Sequence, residues 1–88
     1  MPVEFILYSR TYCHLCDDML AALQALQAEF SFTIRIEDVD ADPALVALYD
    51  ELVPVLVGRC AGEEVRLCHY FLDRDGVRAF LAAADPVD

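Results

Sequence analysis

The 88-residue sequence contains no lysine; its six basic residues are all arginines, set against 16 acidic residues for a formal charge of −10. A field of that sign repels polyanions, so neither nucleic acid nor an anionic membrane is expected as a partner. Long apolar runs are missing too. No stretch reaches the roughly 18 uninterrupted apolar residues that a spanning helix needs. The apolar start lacks the basic opening and cleavage site of a secretory signal, and a cytoplasmic location is expected. Glycine and proline are scarce, at three and four residues, which sets the chain apart from disordered compositions. Repeats, linkers and low-complexity tracts are lacking as well. The length suits one hydrophobic core, so a single domain over residues 1–88 and a monomer are expected.

Apolar residues make up 58% of the chain, and four are cysteines: Cys13, Cys16, Cys60 and Cys68. In a reducing compartment, closely spaced cysteines serve catalysis or metal binding rather than act as staples. Their surroundings therefore decide the reading.

Val3 to Tyr8 (VEFILY) is an apolar run suited to a buried strand, interrupted by Ser9 and Arg10. Leu15, Met19, Leu23, Leu26 and Phe30 then follow at helical spacing. Phe32, Ile34 and Ile36 alternate with Thr33, Arg35 and Glu37, a strand pattern. Asp42 and Pro43 read as the cap and first turn of a second helix, with Leu45, Leu48, Tyr49 and Leu52 as its buried face. Pro54 to Gly58 and Val65 to Cys68 are strands close enough to pair only antiparallel, which places Cys68 opposite Val55. Asp73 reads as the N-cap of a last helix carrying Val77, Phe80, Leu81 and Ala84. The expected order is β-α-β-α-β-β-α, an α/β three-layer sandwich with a mixed four-stranded sheet and helices on both faces. Its natural active site lies where the first strand runs into its helix.

Cys13 and Cys16 occupy that junction. Three residues apart in the first helical turn, their Cβ atoms lie about 5 to 6 Å apart, within a modest adjustment of disulfide geometry. Unpaired amides and the positive end of the helix dipole favour a thiolate at Cys13, and such a setting lowers a thiol pKa from about 8.5 towards 7 or below. Arg10 and His14 add positive charge as candidate pKa-tuning residues, while Asp17 and Asp18 oppose them. The chemistry expected is thiol–disulfide exchange with Cys13 as nucleophile and Cys16 as resolving thiol.

The stretch Tyr8-Ser9-Arg10-Thr11-Tyr12-Cys13-His14-Leu15-Cys16 resembles the glutaredoxin active-site segment, and Glu37-Asp38-Val39-Asp40 followed by a helix and Val53-Pro54 is similar to the glutaredoxin continuation. The resemblance covers nearly the whole chain. It implies a thioredoxin-like fold, a thiol–disulfide oxidoreductase, and a cis bond before Pro54 that exposes the Val53 backbone to a substrate strand. Val53, Pro54 and Tyr12 become the candidate substrate-binding residues. It further implies a disulfide-containing protein or a low-molecular-weight thiol as partner, with no tightly bound cofactor and glutathione as a possible co-substrate. The sequence departs from the family's pattern between the cysteines, where His-Leu replaces Pro-Tyr. It departs again at Leu52 before Val-Pro, and at Cys68-His69-Tyr70-Phe71-Leu72-Asp73, where the family has a Gly-Gly and an acidic pair that bind glutathione.

Two other readings fit the same residues. One is a noncatalytic thioredoxin-fold module that holds a peptide at the Val53-Pro54 edge. The other is a metal or iron-sulfur carrier, for which zinc would need two ligands beyond Cys13 and Cys16. No metal is expected, because Cys60 and Cys68 lack knuckle spacing and the hairpin between them keeps them apart. Both are read as structural, as is His69, and Tyr8 and Tyr12 are read as packing beside the site rather than as catalytic acids. The acidic excess reads as a solvated surface that, in its sharper form, selects basic partners.

Overall fold

Val3, Phe5 and Leu7 alternate with Glu4, Ile6 and Tyr8, so one strand feeds side chains into both faces of a sheet. That strand, β1 (Val3–Ser9), is followed by α1 (His14–Leu26), β2 (Thr33–Asp38), a 3-10 turn (Val39–Ala41), α2 (Pro43–Tyr49), β3 (Val55–Cys60), β4 (Glu63–His69) and α3 (Arg74–Ala84). The structure is a computed structural model and describes residues 2–84. The element order is the one expected from the sequence. The strands lie in the order β2-β1-β3-β4, with β1 and β2 parallel and the other neighbours antiparallel. The sheet is mixed and the arrangement thioredoxin-like.

Because Leu7 pairs with Leu56 and Ile6 with Val57, facing residues on β1 and β3 sort onto the same side. Phe5, Leu7 and Leu56 face α1 and α3, which contribute Met19, Leu23 and Leu26, and Val77 and Leu81. Fully burying each of these larger side chains contributes about 1.5–3 kcal/mol relative to exposure. Gly58 belongs to this side for a steric reason. A Cβ there would stand 2.7 Å from the Phe80 ring, so the ring packs directly on backbone. The opposite face holds Ile6, Val55 and Val57, bordered by Tyr8, Tyr49 and Leu52. Only α2 covers it.

Three sequence expectations are corrected. The face expected to bury Leu45, Leu48, Tyr49 and Leu52 is thin: α2 has no buried residue, and Leu48 is 58% exposed. Ile36, which shares the strand pattern of Ile34, is 54% exposed, because β2 is an edge strand with a neighbour on one side only. Cys68 faces Leu56 rather than Val55. An unbroken register running from Cys60–Glu63 through Val57–Arg66 would have paired Val55 with Cys68. A bulge between the Leu56 and Val57 positions leaves Leu67 out of the ladder and brings His69 to Val55. A slip of one residue changes the face a side chain occupies, and Cys68 accordingly packs with Leu56 on the α1 and α3 side.

Candidate active site

Tyr8 pairs with Val55 and Val55 with His69. The segments that follow β1 and β4 and the one that precedes β3 therefore emerge at the same end of the sheet. The chain leaving β1 turns at Tyr12, whose φ of 60° lies in the left-handed region that favours glycine. Cys13 follows in extended conformation as the N-cap of α1.

There Cys13 takes the part usually played by Ser or Asp. The Cys16 amide donates to Cys13 Sγ at 3.1 Å, and the Asp17 amide donates to the Cys13 carbonyl at 3.2 Å. An amide directed at a sulfur stabilises its anionic form, and the free N–H groups of the first turn reinforce this. The two cysteines lie at disulfide distance, with Cα atoms 5.1 Å apart. Cys13 is partly exposed, whereas Cys16 is 4% exposed beneath it. An incoming disulfide can thus reach the first sulfur but not the second.

The other nominated residues fall as follows. His14, the first residue of α1, is exposed. Tyr12, next to Cys13, is 100% exposed and does not pack beside the site as expected, because it sits at the turn that leads the chain out of β1. The Val53-Pro54 bond is cis, Pro54 is buried, and its carbonyl accepts the Tyr70 amide at 2.9 Å. Val53 lies just outside β3, and among the described residues its own amide and carbonyl have no backbone partner. Arg10 points elsewhere than the sequence suggested. Its Nε and Nη2 donate to the two carboxylate oxygens of Asp40, each at 2.9 Å, and Nη2 also donates to Asp50 Oδ1 at 2.6 Å. These hydrogen bonds raise the guanidinium's affinity for its proton. Two carboxylates thereby offset the charge Arg10 was expected to lend the thiolate, and its evident role is to tie the end of β1 to the segment before Val53.

Tyr70 ties that segment from the other side, its hydroxyl donating to the Glu51 carbonyl at 2.5 Å. The sequence singled out Asp40 only within the Glu37-Asp38-Val39-Asp40 stretch of the resemblance, and drew no attention to Asp50 and Glu51. The signal was Arg10 itself, a lone cation followed by acidic loops. Tyr8 stacks against Tyr49 with ring centroids 4.7 Å apart. Burial first, then repulsion from Tyr49, Glu64 and Glu37, pushes its phenol up, so it stays protonated and serves as packing.

Cys60 and Cys68 lie at opposite ends of the β3–β4 ladder, Cys60 beside Glu63 and Cys68 across from Leu56. Cys60 lies four residue steps along β3 from Leu56, about 13 Å, too far for these cysteines to bond. Burial pushes the Cys68 thiol up, with repulsion from Asp73 adding to it against a lowering backbone hydrogen bond. Among the described residues, no three His, Cys, Asp or Glu side chains are grouped so as to hold a metal ion, and no helix is long and apolar enough to cross a membrane.

The sequence matches the family described as Glutaredoxin-like domain (DUF836) over residues 4–82. Protein Ne2328 from Nitrosomonas europaea, solved by solution NMR, is similar at 40% identity over 92% of this chain and 93% of its own, with a TM-score of 0.83. The X-ray structure of protein XcR50 from X. campestris is 33% identical over 92% of this chain and 99% of its own, at a TM-score of 0.61. The thioredoxin of Fasciola hepatica shares the fold at 19% identity, over 96% of this chain and 82% of its own, with a TM-score of 0.67. No curated protein matches the sequence significantly. Residues 4–82 carry the family match and the Cys13–Cys16 pair sits at the start of the first helix of a thioredoxin-like fold, so the chain belongs to the glutaredoxin-like family.

Proposed function

We propose that this protein is a thiol–disulfide oxidoreductase that works through Cys13 and Cys16. The observation that carries the reading is the asymmetry of the pair: Cys13 caps the helix, accepts an amide and faces solvent, while Cys16 lies buried one turn behind it. The Cys13 thiolate attacks one sulfur of a substrate disulfide. A Cys13–substrate bond forms, the substrate S–S bond breaks, and the departing thiolate takes up a proton. Cys16, deprotonated, then attacks Cys13 Sγ, forming the internal disulfide and releasing the second substrate thiol. Two electrons pass from the protein to the substrate, and the reverse sequence oxidises a dithiol.

Exposed His14 acts as a tuner, its positive charge favouring the Cys13 thiolate when protonated. Val53 supplies the unpaired amide and carbonyl for an extended substrate segment, with Pro54 and Tyr12 beside it. The partner is a disulfide-containing protein or a small thiol in the cytoplasm, and no bound cofactor takes part.

The test is to equilibrate the protein across a series of reduced-to-oxidised glutathione ratios, quench with acid, and map the cysteine linkages by mass spectrometry. The expected result is a reversible Cys13–Cys16 disulfide with a single midpoint. Cysteines that stay reduced at every ratio would overturn the enzyme reading and leave a peptide-holding module.

A further inference from the structure

Exposed aromatic side chains stand on the segments that follow β1 and β4, at the end of the sheet where the dithiol lies. Tyr12 is wholly exposed, Phe71 is 71% exposed, and Tyr70 is also exposed. Tyr12 and Tyr70 both hold left-handed backbone, at φ of 60° and 63°, a conformation disfavoured for such side chains. Leu15 and Met19 of α1 and Tyr70, Phe71 and Leu72 after β4 line an open groove of about 240 Å³. Leu15 belongs to the first turn of α1, between the two cysteines, so the groove starts on the helical turn that carries the dithiol. Its length runs away from Cys13 along α1.

Charge distinguishes what could lie there. Asp18 lines the groove, Asp17 is its exposed chain neighbour in α1, and neither is in an ion pair among the described residues. Arg74 also lines the groove, with Asp73 and Asp75 as its chain neighbours. Arg10, the other cation at this end, is engaged by Asp40 and Asp50. The whole chain carries −10. Oxidised glutathione carries four carboxylates against two ammonium groups and has no apolar side chain. It meets repulsion here and leaves the groove unfilled.

We infer that the groove between α1 and the Tyr70–Leu72 segment selects, as substrate, a disulfide within a cationic polypeptide segment that carries a large apolar side chain next to the cystine. The apolar side chain fills the groove against Leu15 and Phe71, and a flanking lysine or arginine meets Asp17 and Asp18. This rests on the dithiol reading above and adds the identity of the substrate class. The exchange itself is unchanged: the two substrate sulfurs leave as thiols and the Cys13–Cys16 disulfide forms.

The test mixes reduced protein, in stopped flow, with synthetic cystine peptides whose cysteines are flanked by Lys-Leu, by Glu-Leu or by Lys-Gly. Oxidised glutathione and uncharged bis(2-hydroxyethyl) disulfide serve for comparison, and oxidation of Cys13 is followed throughout. The Lys-Leu peptide is expected to react at least about tenfold faster than the Glu-Leu peptide and oxidised glutathione, an advantage that shrinks as salt is raised from about 20 to 500 mM. It is also expected to outpace the Lys-Gly peptide, and Phe71→Ser is expected to narrow that second gap, whereas Glu63→Gln at the far end of β4 leaves it unchanged. Equal rates for all disulfides, the uncharged one included, would overturn the selectivity while leaving the dithiol mechanism standing. Failure of every disulfide to oxidise Cys13 would overturn both.

Discussion

On the face of the sheet covered by α1 and α3, nine residues form one buried cluster; on the face covered by α2, the buried cluster is Ile6, Val55 and Val57, with Tyr8, Tyr49 and Leu52 at its margin. The difference matters because the halves of the site are anchored to different faces. Cys13 and Cys16 open α1, whose stripe of Met19, Leu23 and Leu26 is sunk in the deeper cluster. Val53 and Pro54 follow α2, which has no buried residue of its own. What packing does for the dithiol, polar ties do for Val53: Arg10 holds Asp50 from one side and Tyr70 holds Glu51 from the other. The dithiol thus rests on a deeply packed base, and the Val53 edge on exchangeable hydrogen bonds.

The largest effect should come from the deep face. Leu23→Ala is expected to cost about 2–5 kcal/mol in urea unfolding, whereas Leu48→Ala on α2 should stay within about 0.5 kcal/mol. Comparable losses at the two positions would erase the contrast. Gly58→Ala comes next, at about 1–3 kcal/mol, because its Cβ would meet the Phe80 ring at 2.7 Å. Phe80→Leu in the same molecule should recover part of that loss by withdrawing the ring.

Smaller in stability but sharper in location is Tyr70→Phe, which removes the hydroxyl that Glu51 accepts. About 1 kcal/mol or less is at stake, and the expected signature is faster amide exchange at Leu52, whose amide is bonded to the Tyr49 carbonyl, with α1 unchanged. Acceleration in α1 as well would show that the ties serve the whole fold rather than the substrate edge. The smallest effect concerns reactivity alone. Burial raises the Cys68 thiol's hold on its proton, so at a pH near neutrality its thiolate fraction is low. Alkylation by iodoacetamide in the reduced protein should reach Cys13 well before Cys68, and the reverse order would contradict the assigned environments.

Much of this was legible in the residues. The switch from the run Val3 to Tyr8 to the helical stripe from Leu15 located the dithiol at a strand–helix junction, because periodicity changes there from two to nearly four. Asp42, Pro43 and Asp73 marked helix starts through short-range chemistry, and the Asp42 and Asp73 side chains accept the amides of Ala44 and Gly76. What escaped depended on geometry set far along the chain. Cys68 moved to the other face through a bulge that no local pattern announces. Arg10 found Asp40 and Asp50, 30 and 40 residues away, instead of turning to the neighbouring thiol. Leu48 and Ile36 carried the right periodicity but lie where too little structure covers them.

The most direct test of the division of labour between the two cysteines is to treat reduced Cys16→Ser protein with bis(2-hydroxyethyl) disulfide and locate the adduct by peptide mapping. With the resolving thiol gone, the account predicts a stable mixed disulfide on Cys13, with Cys60 and Cys68 unmodified on the same timescale. An adduct formed first on Cys60 or Cys68, or none on Cys13, would contradict the assignment of Cys13 as the nucleophile.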